Sequence, residues 1–231
     1  VRAWVAYCAG EPELRVGTLV TPEEVADWDL ARIAAGSHRG WGRLDPEPLL
    51  LVCGNGRRDP CCGHFGRRMA EQLWAGPDLD RIISCTHLGG HRFAPTALLL
   101  PAGVLHGRLT AGSAAQLLGA ARSGWTPTAS LRGHSTLDEA EQAAEARVRS
   151  WTGHAGIAPL RTEVVANSAL ACVVAVTLPP DGGAPGRVAH VGLAHRERQE
   201  VTSCGRRPES ILRWEVVTDG QCRVRPSRPT T

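Results

Sequence analysis

The pattern of apolar and polar positions predicts strands first. Residues 2–8 and 14–20 each alternate well enough for a half-buried strand. Thr21-Pro22-Glu23-Glu24 then signals a helix start: a Thr cap, Pro at the first position, acids in the first turn. That helix is expected to run to residue 35 and to end at Gly36. The run Pro48-Leu49-Leu50-Leu51-Val52-Cys53 is apolar throughout, as in a strand buried on both faces. A glycine-rich loop follows over residues 54–60, and helical spacing returns over 66–75 with Met69, Leu73 and Trp74 on one side. Residues 81–85 read as a strand, and 96–109 as a hairpin around Pro101-Ala102-Gly103. Two helices are expected at 114–121 and 137–151, the second with Thr136 as its cap and Gly153 at its end.

After residue 156 the texture changes. Strand-like runs at 163–165, 169–178, 187–193 and 212–217 alternate with turn clusters, notably Pro179-Pro180-Asp181-Gly182-Gly183. This predicts an α/β domain over residues 1–155 and a small β-rich (α+β) domain over 156–231. No internal repeat interrupts it.

Composition narrows the function classes. All 26 basic residues are Arg, which excludes Schiff-base lysine chemistry and a Walker lysine. A net charge of +3, with one Tyr and two Phe, argues against nucleic acid as a partner. No apolar run approaches the roughly 18 residues of a membrane span, and the chain opens at Val1 with no signal-peptide pattern, so no membrane contact and a cytoplasmic location are expected. No dinucleotide or P-loop glycine motif is present.

Eight Cys beside nine His carry the candidate chemistry. Cys53, Cys61, Cys62 and Cys85 crowd into residues 53–85, with His64, His87 and His91 in or beside the same window. Such co-clustering favours a metal or redox site over a dispersed disulfide framework. Cys53 ends a strand and Cys62 opens a helix, so their thiolates can converge at one sheet edge. His87-Leu88-Gly89-Gly90-His91 reads as a tight loop able to present two imidazoles to one metal. Cys61, His64 and Cys85 remain rivals or supporting groups. Cys61-x-x-His64 and Cys85-x-His87 even carry Rieske-like spacing, but in the reverse order.

Cys53-Gly54-x-x-x-Arg58-Asp59-x-x-Cys62-Gly63, then His87-x-Gly89-Gly90-His91-Arg92-Phe93-Ala94, resembles the sucrase/ferredoxin-like family. The resemblance extends through Leu100-Pro101-x-Gly103-x-x-x-Gly107-Arg108-Leu109, Arg132-Gly133 and Gln142-Ala143-Ala144-Glu145. It implies a thioredoxin-like ferredoxin domain carrying a [2Fe-2S] cluster, with Cys53, Cys62, His87 and His91 as ligands. It further implies one-electron transfer with a redox partner protein, a reductase or an electron acceptor. A bis-Cys, bis-His diferric cluster carries total charge near zero, so its potential should exceed that of an all-cysteine cluster. Each ligand imidazole keeps one ring nitrogen for a proton, so reduction and protonation should be coupled.

Two other functions use the same residues. A structural zinc site would take the same Cys2His2 set. A thiol–disulfide oxidoreductase would need a low-pKa thiol, with Cys62 the candidate, although no C-x-x-C motif is present. The remaining residues have plain explanations. His106, His134, His154, His190 and His195 are expected at the surface or hydrogen-bonded, and Cys8 and Cys172 in the core. Cys204 and Cys222 are weak candidates for a second metal or disulfide pair. Trp125 and Trp151 are expected to seal helices onto the sheet. Arg57, Arg58 and Arg92 flank the proposed ligands and could raise a cluster's potential or guide an acidic partner, while Asp59 is expected to hold Arg58.

Overall fold

The apolar run forms strand β4 (Leu49–Cys53), whose Leu50, Val52 and Cys53 are wholly shielded from solvent. A strand this apolar needs neighbours on both edges and cover on both faces. In the computed structural model, which describes residues 1–35, 41–180, 185–217 and the backbone of 225–226, it has all four. Strand β5 (Ile82–Cys85) pairs with it in parallel and β6 (Thr96–Leu100) antiparallel. Strands β7 (Val104–Gly107) and β8 (Leu131–His134) complete the order β5-β4-β6-β7-β8. One face is covered by α2 (Arg67–Trp74) and α3 (Ala111–Arg122) through Met69, Ala70, Leu73, Ala114, Leu117 and Leu118. On the other, Leu14, Leu49 and Leu100 meet Trp4 and Ala6 of a small antiparallel sheet, β1 (Arg2–Tyr7), β2 (Glu13–Thr18) and β3 (Arg43–Leu44).

The second half is an antiparallel sheet in the order β12-β11-β10-β9, from β9 (Arg161–Asn167), β10 (Ala171–Leu178), β11 (Arg187–Glu200) and β12 (Glu209–Val216). Helix α4 (Glu139–Thr152) lays Ala140, Ala144 and Val148 on Val174, Val176, Val191 and Leu193 of this sheet. Small side chains at this helical spacing let helix and sheet approach closely. The chain therefore has the expected α/β architecture followed by a β-rich region. Among the described residues no helix is long and apolar enough to cross a membrane.

Several local expectations need correction. The helix expected over 21–35 is two pieces: a 3₁₀ turn at Pro22–Asp27 and the short α1 (Leu30–Ala34). Asp29 restarts the helix by accepting from the Arg32 N–H. Gly36 lies outside the described residues, as do Asp181, Gly182, Gly183 and Cys222. The cap of α4 is Asp138, not Thr136; it accepts from the Glu141 N–H while Glu141 reaches back. Strand β11 runs seven residues past the expected Leu193, because its outer half is charged and pairs with β12 through Arg198–Glu215 and Arg213–Glu200. Trp125 is 56% exposed and seals nothing, whereas Trp151 packs on the second core.

A buried polar network joins the two halves. Glu145, Arg149 and His134 are all fully buried. Glu145 Oε1 accepts from Arg149 Nε at 3.1 Å and from the Leu160 N–H at 2.8 Å, and its Oε2 lies 2.8 Å from His134 Nδ1. Arg149 donates onward to the carbonyls of Gly156 (2.7 Å) and Ala158 (2.6 Å). Burial alone would raise the Glu145 pKa; His134 and Arg149 outweigh it and hold the carboxyl below its ordinary value. Nearby, His106 is buried between Ser130 and Thr126 hydroxyls, and burial, with His134 adding, lowers its pKa from 6.5 to about 4.

Two outcomes follow for unfolding in urea. Arg149→Met leaves the Glu145 carboxylate buried without its cation and should cost roughly 3–5 kcal/mol, with the Glu145→Gln, Arg149→Met pair costing less than that single change. The depressed His106 pKa means the unfolded chain binds the proton more readily. Stability is therefore full above pH 6.5 and falls as pH drops towards about 4. The loss is on the order of 3 kcal/mol, and His106→Gln should flatten it between about pH 6.5 and 5, above the carboxylate range.

Candidate metal centre

Four segments meet at the edge of the β5-β4 pair. The first is the end of β4, and the second the π-helical turn Cys62–Gly66 leading into α2. The third is the loop from β5 through the short turn His91–Phe93. The fourth, the turn between β11 and β12, arrives from the C-terminal sheet.

Glycine permits the approach of the first two. A Cβ at Gly66 would collide with the Cys53 carbonyl oxygen, and one at Gly63 with the Gly56 Cα. The turn therefore lies directly against the strand end, and the Cys62 thiol, fully buried, interacts with the thiols of both Cys53 and Cys61. In the third segment Gly89 and Gly90 take left-handed backbone (φ 76° and 66°) and fold the chain back between the two histidines.

The fourth segment is held by Asp59, only 2% exposed. Its Oδ1 accepts from Ser203 Oγ at 2.7 Å and from the Cys204 N–H at 2.8 Å. Its own carbonyl accepts from the N–H groups of Cys62 and Gly63. One aspartate thus joins the start of the π-helical turn to the β11–β12 turn. Burial would raise its pKa, but the bonds from Ser203 and Cys204, with His91 and His87 nearby, bring it below the usual carboxylate value. Asp59 does not hold Arg58, as its sequence position suggested.

The result is a group of soft donors. Cys61 Sγ lies 3.0 Å from Cys204 Sγ and 3.6 Å from His91 Nδ1, and Cys204 Sγ lies 3.4 Å from that nitrogen. His91 Nε2 sits 2.8 Å from the Val201 carbonyl oxygen. A carbonyl only accepts, so the proton belongs on Nε2 and the Nδ1 lone pair faces the two sulfurs, as in metal-ligating histidines. Cys61, His91 and Cys204 can hold a metal ion. His87 Nδ1 is buried with no hydrogen-bond partner. A buried nitrogen left bare is costly unless something binds it.

Of the four residues expected as ligands, Cys53 and Cys62 are in thiol contact, and His87 and His91 both lie close enough to Asp59 to influence its charge. The sulfurs directly against His91 belong instead to Cys61 and to Cys204. Nothing local in the sequence marks Cys204; it is one cysteine in a Thr-Ser-Cys-Gly turn more than a hundred residues away. His64 is exposed, its ring edge-on to Phe65. Cys85 is half-buried beside Cys53. Cys172 is buried as expected, and Cys8 only partly so. The low-pKa thiol sought at Cys62 is absent: burial, then Cys53 and Cys61, push that thiol upward. Burial and Cys204 likewise push Cys61 up to about 11, and burial and Cys53 push Cys85 to about 11. Raised in this way, these thiols are mostly protonated at neutral pH, and a bound metal would displace the proton.

The flanking arginines divide. Arg57, Arg58 and Arg67 line an open groove of about 1130 Å³ that also takes in Gly54, Gly63 and Cys85. Among the described residues none of the three has an ion-pair partner. Arg92 instead pairs with Glu200 and lies over Phe93.

A mixed sheet whose edge gathers thiols and imidazoles defines an α/β protein with a side-chain group able to hold a metal ion. The chain belongs to the sucrase/ferredoxin-like family, whose sequence model matches residues 13–133. No curated protein and no solved structure matches it. Cys204 lies outside the matched segment.

Asp59→Ala should free the β11–β12 turn. Loss of the shared acceptor strands two donors at a cost of about 1–3 kcal/mol. Alkylation of Cys204 by iodoacetamide should then accelerate while the far-ultraviolet circular dichroism is unchanged; an unaltered alkylation rate would remove Asp59 as the anchor.

Proposed function

We propose that this chain is a [2Fe-2S] protein that transfers single electrons, coupled to a proton, from a cluster held by Cys53, Cys62, His87 and His91. The observation that carries the reading is the bare, buried Nδ1 of His87, close enough to Asp59 to act on its charge, within a segment that matches the sucrase/ferredoxin-like family. When bound, the group supplies one-electron chemistry near neutral total charge. The chain's residues do the rest. The π-helical turn and the strand end offer two sulfurs at the sheet edge, and the Gly89–Gly90 fold offers two imidazoles. The Val201 carbonyl orients His91 and marks Nε2 as its proton-bearing atom, the one that would give up its proton in the oxidised state as pH rises and recover it on reduction. The open groove of Arg57, Arg58 and Arg67 suits an acidic redox partner protein, a reductase or an electron acceptor. Free thiols at these positions suit a reducing, cytoplasmic setting.

The second reading is a structural zinc site, favoured by the three-residue group of Cys61, His91 and Cys204, a donor set that also suits Zn²⁺. The oxidoreductase reading loses support with the raised Cys62 thiol.

Anaerobic purification should yield a red-brown protein with about two iron and two sulfide per chain, its potential falling as pH rises. His87→Cys or His91→Cys should retain the cluster, alter its spectrum and lower its potential. A colourless protein with one zinc per chain would replace this reading with the structural one. A potential flat across pH 6 to 10 would remove the proton coupling.

A further inference from the structure

The proposed ligand set leaves one feature of the centre unused. Cys61 and Cys204 come from opposite halves of the chain, yet their sulfurs are 3.0 Å apart, each next to His91. Both are free thiols and both are partly open to solvent, unlike Cys53 and Cys62. The turn bearing Cys204 is already docked by Ser203 and Cys204 on Asp59 and by Val201 on His91.

We infer that Cys61 and Cys204 form a reversible disulfide that straps the β11–β12 turn over the metal centre. A disulfide brings sulfurs to about 2.05 Å, so this pair must close by only about 1 Å, a small side-chain movement on a turn that needs no re-docking. The oxidant is a small-molecule disulfide of the oxidised glutathione class. The Cys204 sulfur, giving up its proton, attacks one sulfur of that disulfide; the S–S bond breaks and one small thiol leaves. The Cys61 sulfur, giving up its proton, then displaces the second small thiol from Cys204. Two protein thiols lose two electrons, and one small disulfide becomes two thiols. The bond fixes the turn against the His91 face, so access to the centre from that side follows the thiol balance around the protein. This rests on the reading above in one respect: Cys61 and Cys204 lie outside the ligand set.

The test uses the protein as purified without oxygen. It is treated with oxidised glutathione, alkylated, and digested with trypsin without reduction. Cleavage after Arg58, Arg67, Arg198 and Arg206 releases Cys61 in peptide 59–67 and Cys204 in peptide 199–206. The expected product is these two peptides joined, short of two hydrogens, and separated by dithiothreitol. Because 59–67 also contains Cys62, variants assign the bond: it should be lost in Cys61→Ser and in Cys204→Ser and kept in Cys62→Ser. A link that survives Cys61→Ser overturns the inference, as does the absence of any link. Iron and sulfide measured on the same samples separate the two readings. A link with metal retained supports both. No link with metal retained overturns the strap alone. A link that forms only as metal is lost supports the strap and overturns the ligand set of Cys53, Cys62, His87 and His91.

Discussion

The buried Glu145–Arg149 pair sets the geometry on which the candidate metal centre depends. Two charges without solvent are tolerable only when every remaining hydrogen-bonding position is used. Here the guanidinium reaches three backbone carbonyls, and the carboxylate takes Arg149, the Leu160 N–H and His134. Those partners lie on α4, on β8 and on the connection that follows α4. Satisfying the charges therefore fixes the path from the central sheet into the C-terminal sheet. A purely apolar contact between α4 and that sheet would accept small slides; this network does not. The direction in which β11 leaves the core follows from it.

That direction gives β11 a second purpose. Its inner half, through Leu193, builds core with α4. Its outer half is a charged two-stranded ribbon with β12, stiffened by Arg198–Glu215 and Arg213–Glu200. At about 3.4 Å per residue, such an extension carries the connecting turn well beyond the sheet's own core. Asp59 receives it there. Its buried carboxylate attracts the N–H of Cys204 and the hydroxyl of Ser203, and so sets a thiol from the last third of the chain beside Cys61 and His91. The centre is thus a joint product of both halves of the molecule, although the family match covers only the first.

This division explains what could be read from the sequence. The strand β4, the hairpin of β6 and β7, and α4 announce themselves because burial writes apolar periodicity into the chain. The crowding of Cys53, Cys61, Cys62, His87 and His91 was visible because strand–loop–helix connections bring nearby residues together. Strand β8 and the outer half of β11 were not visible. Leu131-Arg132-Gly133-His134 is too short and too polar to show a period, and the ribbon holds itself by cross-strand charge pairs. Cys204 could not be placed for the same reason: its position depends on register, ribbon length and one buried aspartate. Asp59 looked like a partner for its neighbour Arg58, when its real partners are more than 140 residues distant.

Charge around the centre follows the same rule of long-range assembly. Arg92 belongs to β11 through Glu200, and Arg132, from β8, lies with its guanidinium 4.1 Å from the Phe93 ring and against Gly90 in the histidine loop. Arg108 approaches the same ring from the end of β7. A glycine is required at position 90 both for its left-handed backbone and because a side chain there would displace the Arg132 guanidinium. The loop that carries His87 and His91 is therefore backed by fixed positive charge, with Arg57, Arg58 and Arg67 on the open side. Lysine in such surroundings could surrender its proton; arginine does not. In a chain without lysine, the field acting on the sulfurs and imidazoles is constant across the physiological pH range. Any pH response of the centre must then arise from its own histidines, thiols and Asp59, not from the cations around them.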